Sequence, residues 1–326
     1  MMVALDVFGG DNAPMAALSG ARGAKDKYNI DILLCGNREK ITAAAKKINV
    51  DISDMEIADA SDIIEIEDNP MSILKEKNQS SMAVCLKAVA EGRADAAVSA
   101  GSTAALTVGG NLIVKRLKGV KRCALAALIP TQNGFFMLLD CGANAEVKPE
   151  YLLQFGIMGS AYMKNVMGVE NPRVALLNIG TEENKGTDIH KKAYELLSDA
   201  PVNFLGNIEG REMPYGVADV VVADGFSGNV ALKTYEGASM ALLKMIKGMF
   251  TKNIFTKLAA AMLSGGIKDL KGKTDYTTVG GAPLLGTKYP VFKAHGSSNA
   301  VAFENAIKTA EKFAQTGVIS QIEGKL

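Results

Sequence analysis

Seven short apolar runs constrain this chain more than any other feature: residues 3–7, 30–35, 94–99, 123–129, 135–140, 173–179 and 219–223. Each is hydrophobic throughout rather than at alternate positions, so both faces of the strand it predicts must be covered. Several end in a glycine or small polar residue that opens a helical pattern. That order predicts an α/β fold of three layers, α/β/α, around a mostly parallel sheet. The pair 123–129 and 135–140, joined by the polar turn Pro130-Thr131-Gln132-Asn133-Gly134, adds an antiparallel excursion. No internal repeat or low-complexity linker interrupts the 326 residues, which read as a single two-lobed domain, 1–326.

Composition removes several classes. A hydrophobic share of 48% excludes a disordered chain, and a net charge of +1 argues against nucleic-acid binding through the whole surface. That charge is uneven. Residues 239–273 hold seven lysines and one aspartate, or +6, which leaves −5 on the remainder. Residues 51–68 carry eight acids and no base, read as a solvated face around a short strand. Cys35, Cys85, Cys123 and Cys141 lack the close spacing of a zinc or dithiol site and fit small core residues in a reducing cytoplasm. No apolar run approaches the ~20 residues of a membrane span, and no leader pattern opens the chain, so a cytoplasmic protein is expected.

In open α/β sheets ligands gather at the carboxyl ends of strands. The loop Asp6-Val7-Phe8-Gly9-Gly10-Asp11-Asn12 follows the first run. Its glycines permit close backbone approach to an anion or to a facing loop, although it lacks the dinucleotide and P-loop spacings. Ser102 and Thr103, in Ser99-Ala100-Gly101-Ser102-Thr103, suit a helix cap or a phosphate cradle. Asn144 follows the fifth run. Asn178 opens Asn178-Ile179-Gly180-Thr181-Glu182-Glu183-Asn184-Lys185-Gly186, where Lys185 is either a phosphate ligand or a surface lysine. Asp224-Gly225-Phe226-Ser227-Gly228-Asn229 misses the spacing of a nucleophile elbow and suits a turn presenting Asn229 and backbone N–H groups. Residues 280–286, containing Gly281, read as a rigid glycine-proline bend. His295, between Ala294 and Gly296, is either a site residue or a structural one.

Residues 236–263 stand apart. Helical spacing puts Leu242, Ile246, Met249 and Phe250 on one side and Lys244 and Lys247 on the other. After a break near Lys252-Asn253, Ile254, Phe255 and Leu258 form a second apolar face. Two helices packed on the core or on a second subunit would account for this; so would a hairpin lying on a membrane surface.

Taken together, DVFGGDNAP, SAGSTAAL, LLDCGAN, NIGTEENKG, DGFSGNVALK and GGAPLLG with AHGSS resemble the bacterial phosphate acyltransferase (PlsX) family over essentially the whole chain. The resemblance implies an isopropylmalate-dehydrogenase-like fold related to phosphotransacetylases. It implies a reaction in which inorganic phosphate attacks the thioester of a long-chain acyl-acyl carrier protein, giving an acyl phosphate for phospholipid synthesis. It further implies a homodimer, a cytoplasmic enzyme held peripherally on the membrane beside a downstream glycerol-phosphate acyltransferase, and no cofactor, metal or nucleic acid.

This chemistry needs a positioned phosphate dianion and donors for an oxyanion. Lys185, Ser102 and Thr103 are expected to hold phosphate, Asn229 to serve the oxyanion, and His295 to stand near the leaving sulfur. Asn144 is a further candidate catalytic group. Asp6, Gly9, Gly10, Asp11, Asn178, Gly228 and Gly281 are expected to shape the substrate pocket. Carrier docking is expected at Lys268, Lys271 and Lys273 rather than at residues 115–122, which read as a basic helix end. Membrane contact is expected from Leu242, Ile246, Met249, Phe250, Ile254, Phe255 and Leu258, within a projection spanning about 236–270. An acyl-coenzyme A phosphotransacetylase and a non-catalytic membrane scaffold are the competing readings.

Overall fold

A computed structural model describes residues 1–132, 134–266 and 280–325. The first part of the chain alternates β1 (Met2–Asp6), α1 (Met15–Tyr28), β2 (Asp31–Gly36), α2 (Arg38–Lys47), β3 (Glu56–Asp59), α3 (Ser81–Ala90), β4 (Ala96–Ser99) and α4 (Thr103–Gly109). The hairpin β5 (Ala124–Thr131) and β6 (Gly134–Leu139) follows. Then come α5 (Pro149–Asn165), β7 (Arg173–Asn178), α6 (Asp188–Ser198), β8 (Asn203–Glu209), β9 (Val220–Val222), α7 (Gly225–Phe250) and α8 (Ile254–Met262). The chain closes with β10 (Ala282–Leu285), β11 (Val291–Lys293), α9 (Ala300–Gln315) and α10 (Val318–Glu323).

The strands form one sheet in the order β3-β2-β1-β4-β11-β10-β5-β6-β9-β7-β8. Pairing is parallel except at β11–β10, β10–β5 and β5–β6. All seven predicted strands are present. The antiparallel centre is wider than the expected hairpin, because residues 280–286 contain a strand rather than a bend. Pro283 has no N–H to give to a ladder. It is tolerated because β10 pairs with β11 at Ala282 and Pro283 and with β5 at Leu284 and Leu285, so the proline stands where the partner changes. Three antiparallel pairings reverse the strand direction between the two lobes. The loops after β1, β4 and β11 therefore leave one end of the sheet, and those after β6, β9 and β7 leave the other.

The two faces of the sheet are filled differently. On one face a single core runs across both lobes, from Val3, Leu5 and Ile32 under α1 and α9 to Leu139, Val174 and Val220 under α5. On the other face the core is split. Leu33, Leu86, Ala97 and Leu106 belong to one cluster, and Phe136, Leu138, Ala175 and Val221 to another. The split lies over β5, whose Leu125 joins the first of these clusters and Ile129 the second. All four cysteines are free and buried.

α7 begins in this gap and leaves the body. Its N-cap, Asp224, accepts from the Ser227 N–H at 2.8 Å, and of its 26 residues only Gly225 and Gly228 are buried. α7 ends at Phe250, and α8 starts after Asn253, whose side chain accepts from Thr256 N–H, which puts the turn at the break read from the sequence. Leu242, Met245, Met249, Ile254, Phe255, Leu258 and Met262 are exposed, while Ile246 and Phe250 are half-buried. Lys268, Lys271 and Lys273 lie outside the described residues. Among the described residues no helix is long and apolar enough to cross a membrane.

Candidate functional site

Three loops at one end of the sheet are joined by backbone contacts that only small residues allow. A Cβ on Gly9 would stand 2.5 Å from Gly101 N, and one on Gly10, where φ is +94°, would stand 2.8 Å from Gly296 O. Asp11 N–H donates to Gly296 O at 2.8 Å, and Asn12 Nδ2 donates to the carbonyls of Ser297 and Ser298. Beneath them the buried Asp6 carboxylate accepts from Ser99 Oγ at 2.6 Å and Phe8 N–H at 3.3 Å. Burial raises the Asp6 pKa, and the bonds from Ser81 and Ser99 oppose that rise. Ser102 caps α4, its Oγ accepting from Ala105 N–H at 3.4 Å.

Into this knot β11 delivers Lys293. Its Nζ donates to Ala100 O at 3.0 Å and Ala294 O at 2.5 Å, which leaves one of three N–H donors for a ligand. Desolvation lowers its pKa to about 8, with nearby Asp6 pulling the other way. Two residues on, His295 lies exposed on the rim. Its Nδ1 accepts from Ser297 N–H at 3.2 Å and lies 2.8 Å from Ser297 Oγ, which places the ring proton of the neutral form on Nε2. Desolvation by the surrounding loops, then the charge of Lys233, holds the imidazole pKa below its ordinary value.

The second half of the site is built around Asp140, which is fully buried. Its carboxylate accepts from the N–H groups of Leu125, Ala143 and Asn144 and from Asn144 Nδ2. Asn144 Nδ2 also donates to Cys123 O at 2.7 Å, so both of its amide hydrogens are engaged in holding this loop. The first turn of α7 packs directly on it: a Cβ on Gly228 would stand 1.9 Å from Asp140 O. One residue further, Asn229 Nδ2 donates to Cys141 O at 2.9 Å and keeps a second N–H. Cys141 touches the cavity, but burial drives its thiol pKa far above the ordinary range, so it is not a ready nucleophile.

Between these halves lies a cavity of about 1250 Å³. Lys293, His295, Ser102, Thr103 and Asn229 supply its polar part. Gly10, Asp11 and Gly281 also border it, and Lys233, paired with Glu236 at 2.9 Å, adds a second cation on its edge. Leu125, Ala127 and Ile129 of β5 and Leu232, Tyr235, Met240 and Leu243 of α7 supply an apolar wall. Asp6, Gly9, Asn144 and Gly228 do not line it; each shapes the backbone behind it.

Lys185 and Asn178 stand elsewhere. Asn178 Nδ2 donates to Lys185 O at 3.1 Å, and Lys185 Nζ lies 3.8 Å from Glu182, so the loop closes on itself. Its strand, β7, is three positions from β5 in the sheet, roughly 14 Å at the usual strand spacing. Lys293 is the group sequence reasoning passed over. Its signal was a lone lysine at the end of an apolar strand, two residues before a histidine already singled out.

The body is a broad αβα unit whose cavity is bordered by cations, N–H donors and apolar side chains. Among solved structures the chain is similar to a phosphotransacetylase from Streptococcus pyogenes (TM-score 0.64, 17% identity, 96% of this chain and 94% of that one). It is likewise similar to the EutD phosphotransacetylase from Staphylococcus aureus (TM-score 0.62, 17% identity, again 96% and 94%). These matches give the fold as phosphotransacetylase-like and correct the expected isopropylmalate-dehydrogenase-like assignment. The general three-layer description stands, and the four-strand antiparallel centre is what the parallel-strand reading of the sequence underestimated.

The model of the family described as "Fatty acid synthesis protein" matches residues 1–321. The chain is 47% identical to the phosphate acyltransferase of Alkaliphilus oremlandii over 99% of its own length and 96% of that protein's. It is 45% identical to the phosphate acyltransferase of Bacillus licheniformis over 100% and 98%. The chain belongs to the phosphate acyltransferase family, and it is an enzyme of the acyltransferase class.

Proposed function

We propose that the enzyme moves a long-chain acyl group from acyl carrier protein to inorganic phosphate, releasing an acyl phosphate for phospholipid synthesis. The observation that carries this reading is one cavity lined both by Lys293, Ser102, Thr103 and Asn229 and by apolar side chains of β5 and α7, with Asp11, Glu65 and Glu236 also on its border. At about 1250 Å³ it exceeds the ~300–1,000 Å³ usual for small-molecule sites, more than a short acyl group needs. Lys293 and the Ser102-Thr103 turn hold the phosphate. A phosphate oxygen bonds to the thioester carbon, Asn229 and neighbouring N–H groups take the developing oxyanion, and the carbon–sulfur electron pair leaves with the carrier thiolate. His295, on the rim of the cavity, stands beside the path of that sulfur.

Hydroxylamine trapping separates the donors. Acyl-carrier thioester with phosphate gives acyl hydroxamate at a kcat/KM at least tenfold above that with acyl-coenzyme A; the reverse preference makes the enzyme a coenzyme A phosphotransacylase. Charge reversal at Lys268, Lys271 and Lys273 raises KM for the carrier substrate alone, and an unchanged KM removes them from docking.

The exposed apolar residues of α7 and α8, beside Lys244, Lys247 and Lys257, support peripheral attachment to an anionic membrane surface. Replacing Leu242, Met249, Ile254, Phe255 and Leu258 with serine abolishes cosedimentation with phosphatidylglycerol vesicles and leaves the reaction in solution within a few-fold of the parent. Loss of dimer with vesicle binding retained assigns this face to the second subunit instead.

A further inference from the structure

Three polar side chains stand in one row across the sheet. Lys293 on β11 pairs with Ser99 on β4, and the register that sets Leu5 beside Val98 brings Asp6, the next residue of β1, beside Ser99. Their neighbours show which way they face. Leu5, Val98 and Phe292 belong to the core on one face of the sheet, whereas Ala4, Ala97 and Val291 belong to the split face over which the cavity lies. Alternation along each strand therefore turns Asp6, Ser99 and Lys293 toward the cavity face. Two strand spacings, roughly 10 Å, separate the backbones of Asp6 and Lys293, and Ser99 fills the interval.

The row is wired in one direction. Ser99 Oγ accepts from Gly101 N–H at 3.1 Å, so its own proton goes to Asp6, 2.6 Å away. The other partners of the Asp6 carboxylate are the Ser81 hydroxyl and the N–H groups of Phe8 and Gly9, a set of donors that suits the ionised form. Between Ser99 and Gly101 lies Ala100, whose carbonyl accepts from Lys293 Nζ at 3.0 Å. The bonds that run from Asp6 through Ser99 to Gly101 thus fix the carbonyl that aims the ammonium. Asp6 is buried and Lys293 half-buried, so the attraction between their charges is screened less than in water. Among the charges around Lys293, Asp6 and then Asp11 favour its protonated form, while Lys233 of α7 opposes it. The remaining titratable groups on the cavity border are Glu65, Glu236, which is paired with Lys233, His295, and the neutral Cys141 and Tyr235.

Resting on the acyl-transfer reading above, we infer that Asp6 is a positioning residue of the reaction: through Ser99 and Ala100 it aims the Lys293 ammonium at phosphate, and its buried charge keeps that ammonium protonated. Asp6 never meets the substrate. It acts from behind the loops that do, and its loss is read at Lys293.

Asp6→Asn keeps the size of the side chain and removes its charge. The amine of Lys293 then holds its proton less well, so the fall of kcat/KM for phosphate with rising pH begins roughly half a unit or more below its parental position. Near neutral pH, KM for phosphate rises at least tenfold and kcat falls less. Ser99→Ala leaves the charge in place and cuts the link to Ala100; it raises KM for phosphate with a smaller displacement of the pH profile. Acetylation of Lys293 by acetic anhydride from neutral to alkaline pH, read by peptide mass spectrometry, follows the same proton without any substrate, and its midpoint is lower in Asp6→Asn than in the parent. A parental midpoint in Asp6→Asn, or kcat reduced with KM and the pH profile unmoved, overturns the positioning role. If Asp6→Asn fails to fold, Ser99→Ala decides, and a parental KM for phosphate in that variant overturns it. A parent that forms no acyl phosphate while Asp6→Asn still lowers the acetylation midpoint overturns the acyl-transfer reading and leaves the coupling of Asp6 to Lys293 standing.

Discussion

Lys293→Met lowers turnover by at least a hundredfold at saturating phosphate, a loss far larger than the modest drop in melting temperature expected from removing two hydrogen bonds to backbone carbonyls. Two of the ammonium N–H groups are held by Ala100 O and Ala294 O, so the third is fixed in direction before phosphate arrives. Removing one preorganised donor from an acyl-transfer site costs ~10²–10³ in kcat, and here a charge is lost with it. Its depressed pKa means that burial disfavours the charged form relative to the neutral amine. The pH dependence has a definite sign. Below pH about 8 the amine is protonated and holds the dianion; as pH rises through that value the proton leaves and capture weakens. A plot of kcat/KM for phosphate, which reports the free enzyme, therefore descends above pH 8 for the parent, and Lys293→Met lacks that descending limb. Near-parental turnover in Lys293→Met would remove the residue from the mechanism.

Gly228→Ala is expected to destabilise the enzyme by the upper part of the ~1–3 kcal/mol range for overpacking, seen as a melting temperature several degrees lower, and to reduce activity more than its stability loss explains. The added Cβ meets Asp140 O at 1.9 Å, and a backbone carbonyl cannot rotate aside as a side chain would. The Asp140 loop cannot yield easily either, since its buried carboxylate is bonded to Leu125, Ala143 and Asn144. The strain is relieved by moving the first turn of α7, which carries Asn229 and the α7 wall of the cavity with it. Differential scanning calorimetry beside steady-state rates tests this. Parental values in both would mean that the helix start is adjustable and that the tight approach has no functional weight.

The seven apolar strands were legible because burial on both faces leaves no room for alternation, and the cap-and-glycine loops marked most strand ends. β10 was hidden by Pro283 and its flanking glycines, which locally resemble a turn; only the change of pairing partner makes a strand with that proline workable. The candidate site was partly legible for a related reason. Ser102, Thr103, Asn229 and His295 follow strands whose loops reach the gap over β5, and sequence order alone predicts such loops. Lys185 carries equally suitable chemistry after an equally clear strand, β7, which neighbours the β9 that leads into Asn229, but Lys185 does not border the cavity. Which loops reach the cavity is a long-range property that the local pattern does not encode. Lys293 was missed because a lysine in a strand ordinarily faces water, whereas here the two carbonyls of adjoining loops draw its ammonium inward.

The central claim is that inorganic phosphate itself becomes bonded to the acyl group at Lys293. Radiolabelled phosphate incubated with acyl-carrier thioester tests it most directly, by following label into acyl phosphate and the release of carrier thiol together. The parent is predicted to incorporate one phosphate per thiol released, and Lys293→Met to do so at least a hundredfold more slowly. Thiol released without label in the acyl product, or label incorporated by Lys293→Met at the parental rate, would contradict the account.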